Sequence, residues 1–269
     1  MTGCSFLPAP YCYRCFFELE YPTCNLKCAK ALENIILYNT YGNVACFIAE
    51  PILGEGGIIT PPDDYFLEIE KILKRREILF LADEVQTGFC RTGRMFGIEH
   101  YGVEPDILAV AKGIADGFPL SAFIAREEVA DSFKPGDHLS TFGGNPVSCA
   151  AALANIEFLE EQNLAQKTLD KGNFLKAQLE SLKAKYKMIG EIRGKGLMIG
   201  IELVRDPISK DPAQIEGKKI QEICLEKGLL IGSGGIYGNV LRIQPPLVIS
   251  QEQMEEAIKI LELAFSKVD

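Results

Sequence analysis

The stretches Ile78-Leu-Phe-Leu-Ala-Asp-Glu84 and Ile107-Leu-Ala-Val-Ala-Lys-Gly113 decide how this chain is read. Each reads as an apolar strand ending in one charged residue, Asp83 in the first and Lys112 in the second. Working outward, residues 44–49 form another short apolar run closed by Glu50-Pro51, the pattern of a buried parallel strand. A helix with Ala29, Leu32, Ile35 and Ile36 on one face is expected over residues 26–37. A second helix starts after Pro61-Pro62-Asp63 and brings Phe66, Ile69, Ile72 and Leu73 to one side. Gly54-Glu55-Gly56-Gly57 and the Gly-rich residues 88–102 read as loops, and residues 120–125 as a further apolar run. Helices alternating with short apolar runs indicate an α/β architecture with a mostly parallel sheet.

Beyond Asn145-Pro146 the texture changes. Residues 147–186 are rich in Ala, Leu, Lys, Glu and Gln and favour helix. Strands follow over residues 188–193 and 197–203, a helix over 214–226, and strands over 229–231 and 240–243. The last helix begins at Ser250, which forms a capping-box pattern with Gln253, and its apolar stripe is Met254, Ala257, Ile258, Leu261 and Phe265. The expected division is a large-domain portion over residues 1–150 and a smaller α+β C-terminal domain over residues 151–269.

Composition narrows the function classes. A net charge of -9 and the lack of a dense Lys/Arg run predict no nucleic-acid partner. Neither a membrane-length apolar stretch nor a signal-peptide core is present, which predicts no membrane partner and a cytoplasmic setting. Of nine cysteines, Cys4, Cys12, Cys15, Cys24 and Cys28 crowd at the start. Cys12-x-x-Cys15 and Cys24-x-x-x-Cys28 have a spacing that four zinc ligands could use. The segment between them is short and aromatic, so the favoured reading is reduced, mostly buried thiols with no metal.

In open α/β sheets, ligands bind outside the carboxyl ends of the strands. An amine and a carboxylate delivered to that edge are what a pyridoxal phosphate (PLP) enzyme needs: the lysine forms the Schiff base and the aspartate pairs with the pyridinium nitrogen. Either residue alone says little. A strand-end lysine is usually solvated over apolar neighbours, and an aspartate there often just caps a turn. The two together, at the ends of two apolar strands, say more.

Five stretches then carry a resemblance: Ala49-Glu-Pro-Ile-Leu-Gly-Glu-Gly-Gly57, Leu81-Ala-Asp-Glu-Val-Gln-Thr-Gly-Phe-Cys-Arg-Thr-Gly93, Pro105-Asp-Ile-Leu-Ala-Val-Ala-Lys-Gly-Ile-Ala-Asp-Gly-Phe-Pro-Leu120, Ser140-Thr-Phe-Gly-Gly-Asn-Pro146 and Leu241-Arg-Ile-Gln-Pro-Pro-Leu247. In content, order and approximate spacing the chain resembles the class III PLP-dependent aminotransferases of fold-type I, over almost its whole length. The resemblance implies that Lys112 holds PLP and, once freed, moves the proton between substrate and cofactor, as a lysine taken out of water can. It implies that Asp83 keeps the ring nitrogen protonated and that Gln86 hydrogen-bonds the cofactor's phenolic oxygen. Thr141 resembles the threonine that reaches the cofactor phosphate of the neighbouring subunit, which predicts a homodimer. Arg242 resembles the arginine that takes the substrate α-carboxylate, a bidentate match. Glu55 matches the glutamate that pairs with that arginine when an ω-amino group is presented instead.

Blander readings stand beside these: a polar turn residue for Gln86, a turn for Thr141, an exposed strand arginine for Arg242 and a solvated loop carboxylate for Glu55. His100 and His138 read as structural or surface residues. The expected function is PLP-dependent transamination between an amino acid, with an α- or ω-amino donor such as 4-aminobutyrate or alanine, and a 2-oxo acid. The alternatives are a racemase or decarboxylase of the same family, a non-catalytic remnant or partner chain, and a zinc-binding module at the N-terminal cysteines.

Relatives in that family carry a segment ahead of the point where this chain begins, with a Gly/Ser/Thr-rich phosphate loop and an aromatic residue that stacks on the cofactor ring. Neither is found here. The chain is therefore expected to be N-terminally truncated, with an unpaired sheet edge, uncovered apolar surface, weak PLP binding and impaired activity.

Overall fold

Four short strands build the first sheet: β1 (Cys46–Ala49), β2 (Leu79–Asp83), β3 (Ile107–Val110) and β4 (Ala122–Ala125), in that spatial order. The coordinates are a computed structural model that describes residues 3–268. β1, β2 and β3 run parallel, and β4 returns antiparallel to β3. Phe80 and Ala82 of β2 point into a core shared with α1 (Lys27–Asn39) and α2 (Tyr65–Arg76), where Ala29, Leu32, Ile36, Phe66, Ile69 and Leu73 are buried. The alternation along β2 turns Leu79, Leu81 and Asp83 toward the opposite face, where they are half-buried.

The helix α2 forms where its apolar spacing dictates and stops for a local reason. Glu77 takes the left-handed conformation (φ 54°) and its N–H reaches the Leu73 and Lys74 carbonyls, a C-terminal cap that satisfies backbone acceptors. Lys74, Arg75 and Arg76 sit at the negative end of the helix dipole. Two of them also pair with Glu33 of α1, Arg75 at 2.7 Å and Arg76 at 2.6 Å.

Two strand readings need correction. β1 is not buried throughout, since Ile48 is 60% exposed, and the run over residues 120–125 yields a strand whose Phe123 and Ile124 are exposed. Both are outer strands, paired on one side within this sheet. β3 also ends at Val110, two residues before Lys112. Beyond the sheet lie a short helix α3 (Glu127–Ala130) and α4 (Pro146–Glu161). The Asn145 side chain accepts the Ser148 N–H at 2.9 Å at the start of α4, with Pro146 at its first position.

The chain divides into two compact units. The first takes the described part of Met1–Pro51 together with Pro61–Phe89 and Phe96–Glu161, and the second takes Ile52–Thr60, Cys90–Met95 and the described part of Gln162–Asp269. In the second unit, β5 (Ile189–Lys195), β6 (Met198–Leu203), β7 (Gly232–Gly234) and β8 (Val240–Ile243) form an antiparallel sheet in the order β5-β6-β8-β7. Ile192, Ile199, Ile201, Leu203 and Leu241 face a core completed by α5 (Leu164–Lys185), α6 (Gln214–Glu226) and α7 (Gln251–Val268). At α7 the capping box is present: the Ser250 N–H donates to Gln253 at 2.9 Å and the Gln253 N–H donates to the Ser250 hydroxyl at 3.3 Å. The strand expected over residues 229–231 lies further on, at Gly232–Gly234.

Of the nine cysteines only Cys90 and Cys224 are buried, which corrects the expectation of mostly buried thiols. Among the described residues no group of three or more His, Cys, Asp or Glu side chains is placed to hold a metal ion. Among them, too, no helix is long and apolar enough to cross a membrane.

Candidate active site

Asp83 is the last residue of β2, and its Oδ1 accepts the Val85 N–H at 3.0 Å. That bond folds the chain back immediately after the strand. The next residue, Glu84, is fully buried and shapes the loop that follows. It accepts the Thr87 hydroxyl at 2.5 Å, the Gly97 N–H at 2.8 Å and the Ile98 N–H at 2.7 Å. Gly97 is required there, because a Cβ would lie 2.8 Å from Thr87 Cβ. Burial pushes the Glu84 carboxyl up, against the pull of these three donors. Gln86 rides on this fixed turn, half-buried.

Lys112 lies beyond the carboxyl end of β3, the strand paired with β2 through Asp83 and Ala109. It opens a single 3-10 turn, Lys112–Ile114, with φ 45°. A left-handed backbone at a non-glycine residue costs energy and persists where its surroundings over-determine it. Here the Asn155 amide of α4 donates to the Gly113 carbonyl at 2.7 Å and the Ile114 carbonyl at 3.3 Å. Gly113 packs so closely on Phe89 that a Cβ would lie 3.2 Å from Phe89 Cβ. The Lys112 residue itself is exposed.

Thr141 sits in an exposed turn ahead of α4, where the Ser140 hydroxyl accepts the Gly143 N–H at 2.9 Å. In the second unit, Glu55 and Arg242 meet: Arg242 Nη1 donates to Glu55 Oε1 at 2.5 Å. Arg242 stands on β8 between Gly200 of β6 and Gly232 of β7, its directly paired residues. Its Nε is buried without a hydrogen-bond partner among the described residues. Gly234 of β7 packs closely on this side chain: a Cβ there would lie 3.1 Å from Arg242 Cδ and 3.2 Å from Nε.

The sequence pattern therefore leads to two groupings, Asp83 with Gln86 and Lys112 at neighbouring strand ends, and Glu55 with Arg242. It did not single out Glu84, Asn155 or Arg193. The first two hold the backbone around the first grouping. Arg193 donates to the Gly57 carbonyl at 2.6 Å, beside Glu55. Only Asn155 carried a signal, an amide within the apolar run Ala150-Ala-Ala-Leu-Ala-Asn-Ile156.

The donor set of the first unit fits PLP: a primary amine on a strained turn, and a carboxylate with one oxygen already committed to Val85. Comparison with known proteins agrees. The family model for aminotransferase class-III matches residues 3–265. A leucine/methionine racemase of Thermococcus litoralis is 43% identical over 100% of this chain and 60% of its own length. An acetylornithine aminotransferase of Caldanaerobacter subterraneus is 44% identical over 86% of this chain and 56% of its own length. The crystal structure of an amine transaminase from an uncultivated Pseudomonas species, in its PLP-bound internal aldimine form, superposes with a TM-score of 0.94 at 35% identity. It covers 100% of this chain and 63% of that one, so the chain spans roughly three fifths of the length of these relatives. With the family model matched nearly end to end, the chain belongs to the class III aminotransferases, a family of PLP-dependent enzymes.

Proposed function

We propose that this chain takes part in PLP-dependent transamination between an amino acid and a 2-oxo acid. The observation that carries this reading is Asp83 at the carboxyl end of β2 and Lys112 two residues past the carboxyl end of the adjacent parallel strand β3. When bound, PLP supplies an electron sink for the charge left on a deprotonated substrate carbon. Lys112 supplies the amine that would hold the cofactor and, once released by the amino donor, would take the proton from the donor carbon that bears the amino group. Asp83 offers a carboxylate to the ring nitrogen, Gln86 a neutral hydrogen bond to the phenolic oxygen, and Thr141 a hydroxyl to a phosphate in a second copy of the chain. Residues 1–150 are the proposed cofactor-binding portion and 151–269 the smaller domain.

Arg242 is the proposed acceptor of the substrate carboxylate, with Glu55 as its partner when the donor presents an ω-amino group. The orphan Nε of Arg242 supports this, since a carboxylate supplies the missing acceptor. Alanine suits the state with Arg242 on a carboxylate, and 4-aminobutyrate the state with Arg242 on Glu55. The racemase relative favours a second reading, in which the same lysine and aspartate serve and the substrate carbon regains its proton on the opposite face.

One assay separates these. The full chain with PLP is incubated with alanine or 4-aminobutyrate, with and without 2-oxoglutarate, and the products are resolved on a chiral column. Glutamate formed only with the oxo acid supports transamination. D-alanine formed without any oxo acid supports the racemase. Neither product counts against both.

A further inference from the structure

Directly paired residues on neighbouring strands share a face of the sheet. Arg193 of β5 pairs with Gly200 of β6, Gly200 with Arg242 of β8, and Arg242 with Gly232 of β7. An arginine–glycine–arginine–glycine row thus crosses the sheet on the side away from its helices. The segment Ile52–Thr60 lies on this row, and the bare Gly200 makes room for it. A Cβ there would be 3.0 Å from Ile58 Cβ and 3.2 Å from the Gly57 carbonyl oxygen. Each arginine grips the segment at a different point. Arg242 holds the Glu55 carboxylate. Arg193 donates to the Gly57 carbonyl from Nε at 3.0 Å and Nη2 at 2.6 Å, and from Nε to the Ile58 carbonyl at 3.2 Å.

The gripped backbone is strained. Gly57 has φ 112° and Ile58 has φ 55°, and a β-branched residue in the left-handed region is an outlier that needs outside support. Arg193 gives that support from a fixed base: its Nη1 pairs with Glu202 and with Glu191, each at 2.6 Å. Arg193 and Glu202 are both buried. The Gly235 N–H adds a bond to the Glu55 carbonyl at 3.0 Å.

We propose that Arg193, anchored on Glu202, is a positioning residue for carboxylate selection: it pins the strained Gly57-Ile58 backbone, keeps Glu55 on Arg242, and so sets how readily a substrate carboxylate displaces Glu55. This rests on the reading of Arg242 as the carboxylate acceptor. A planar fork is needed for the task, because one side chain must serve two carbonyls and two carboxylates at once. Burial pushes the Glu202 carboxyl up to about 7, against the opposing pull of the Asn239 amide and the Lys210 charge. Removing one member alone would strand the other charge, so a charge-balanced replacement is the cleaner test.

The test uses the full chain and glutarate as the probe, following the Arg242 Nε–H signal by 15N NMR. Glu55→Ala is expected to tighten glutarate binding about tenfold, since the internal competitor is gone. The pair Arg193→Gln with Glu202→Gln is expected to tighten it at least about threefold, with faster hydrogen exchange at the Ile58 amide. Arg193→Lys keeps the charge beside Glu202 without the fork, covers the case where the double variant does not fold, and is expected to move affinity the same way. A purely structural role would lower stability and leave glutarate affinity alone. Wild-type affinity in Arg193→Lys and in the folded double variant, with Glu55→Ala tightened, would overturn the inference while Arg242 keeps its role. Unchanged affinity in Glu55→Ala would sink the Arg242 reading, and this inference with it.

Discussion

Glu84 shows how one buried carboxylate organises the loop that follows β2. Replacing it with Ala strands the Gly97 and Ile98 N–H groups and the Thr87 hydroxyl. The expected loss is about 2–3 kcal/mol, read from the urea midpoint. Its pH dependence has a definite sign. Because burial raises the folded-state pKa, the native protein holds this proton more tightly than the unfolded chain. The stabilisation is full below the ordinary glutamate value and is lost as pH rises through the raised one. Glu84→Gln is expected to flatten that part of the stability profile, which urea unfolding of both proteins across pH would check. Asp83 and Lys112 were legible because a single charge after an apolar run stands out in sequence. Glu84, Asn155 and Arg193 were not, because their partners lie far along the chain: Ile98, Gly113 and Gly57 are reached only by folding.

At the scale of elements, local chemistry predicted best where it acts alone. The helix α6 spans Gln214–Glu226, the expected bounds, and the Ser250–Gln253 box is formed. Ser250→Ala is expected to cost about 1 kcal/mol, measured as a lowered urea midpoint. Elements set by their partners were harder to read. β7 falls on Gly232–Gly234 and not on the more strand-like Leu229-Leu230-Ile231, with Gly234 leaving the room that Arg242 takes beside the strand. Gly234→Ala would push on Arg242 Cδ and Nε, and is expected to weaken glutarate binding about tenfold in the NMR titration. The end of β3 was misread for a related reason. An extended Lys112 fits the apolar run, but Asn155 and Phe89 hold the turn that starts there.

For the molecule as a whole, the α/β fold class with its C-terminal α+β part was legible in outline, but the two inserts Ile52–Thr60 and Cys90–Met95 of the second unit were not, since they join it only through folding. The antiparallel return of β4 was not, since a run of four residues carries no sign of its direction. Its exposed Phe123 and Ile124 make an apolar strand at a sheet edge, a surface suited to self-association. Sedimentation equilibrium is expected to show dimers, and Ile124→Lys to shift them toward monomer. The proposed chemistry turns on Lys112 as the residue that holds the cofactor. Borohydride reduction of the full chain with PLP, followed by peptide mass spectrometry, tests it most directly. A pyridoxyl adduct is expected on Lys112, lost when an amino donor is added before reduction. A folded protein with no adduct at Lys112, or with label scattered over surface lysines, would contradict it.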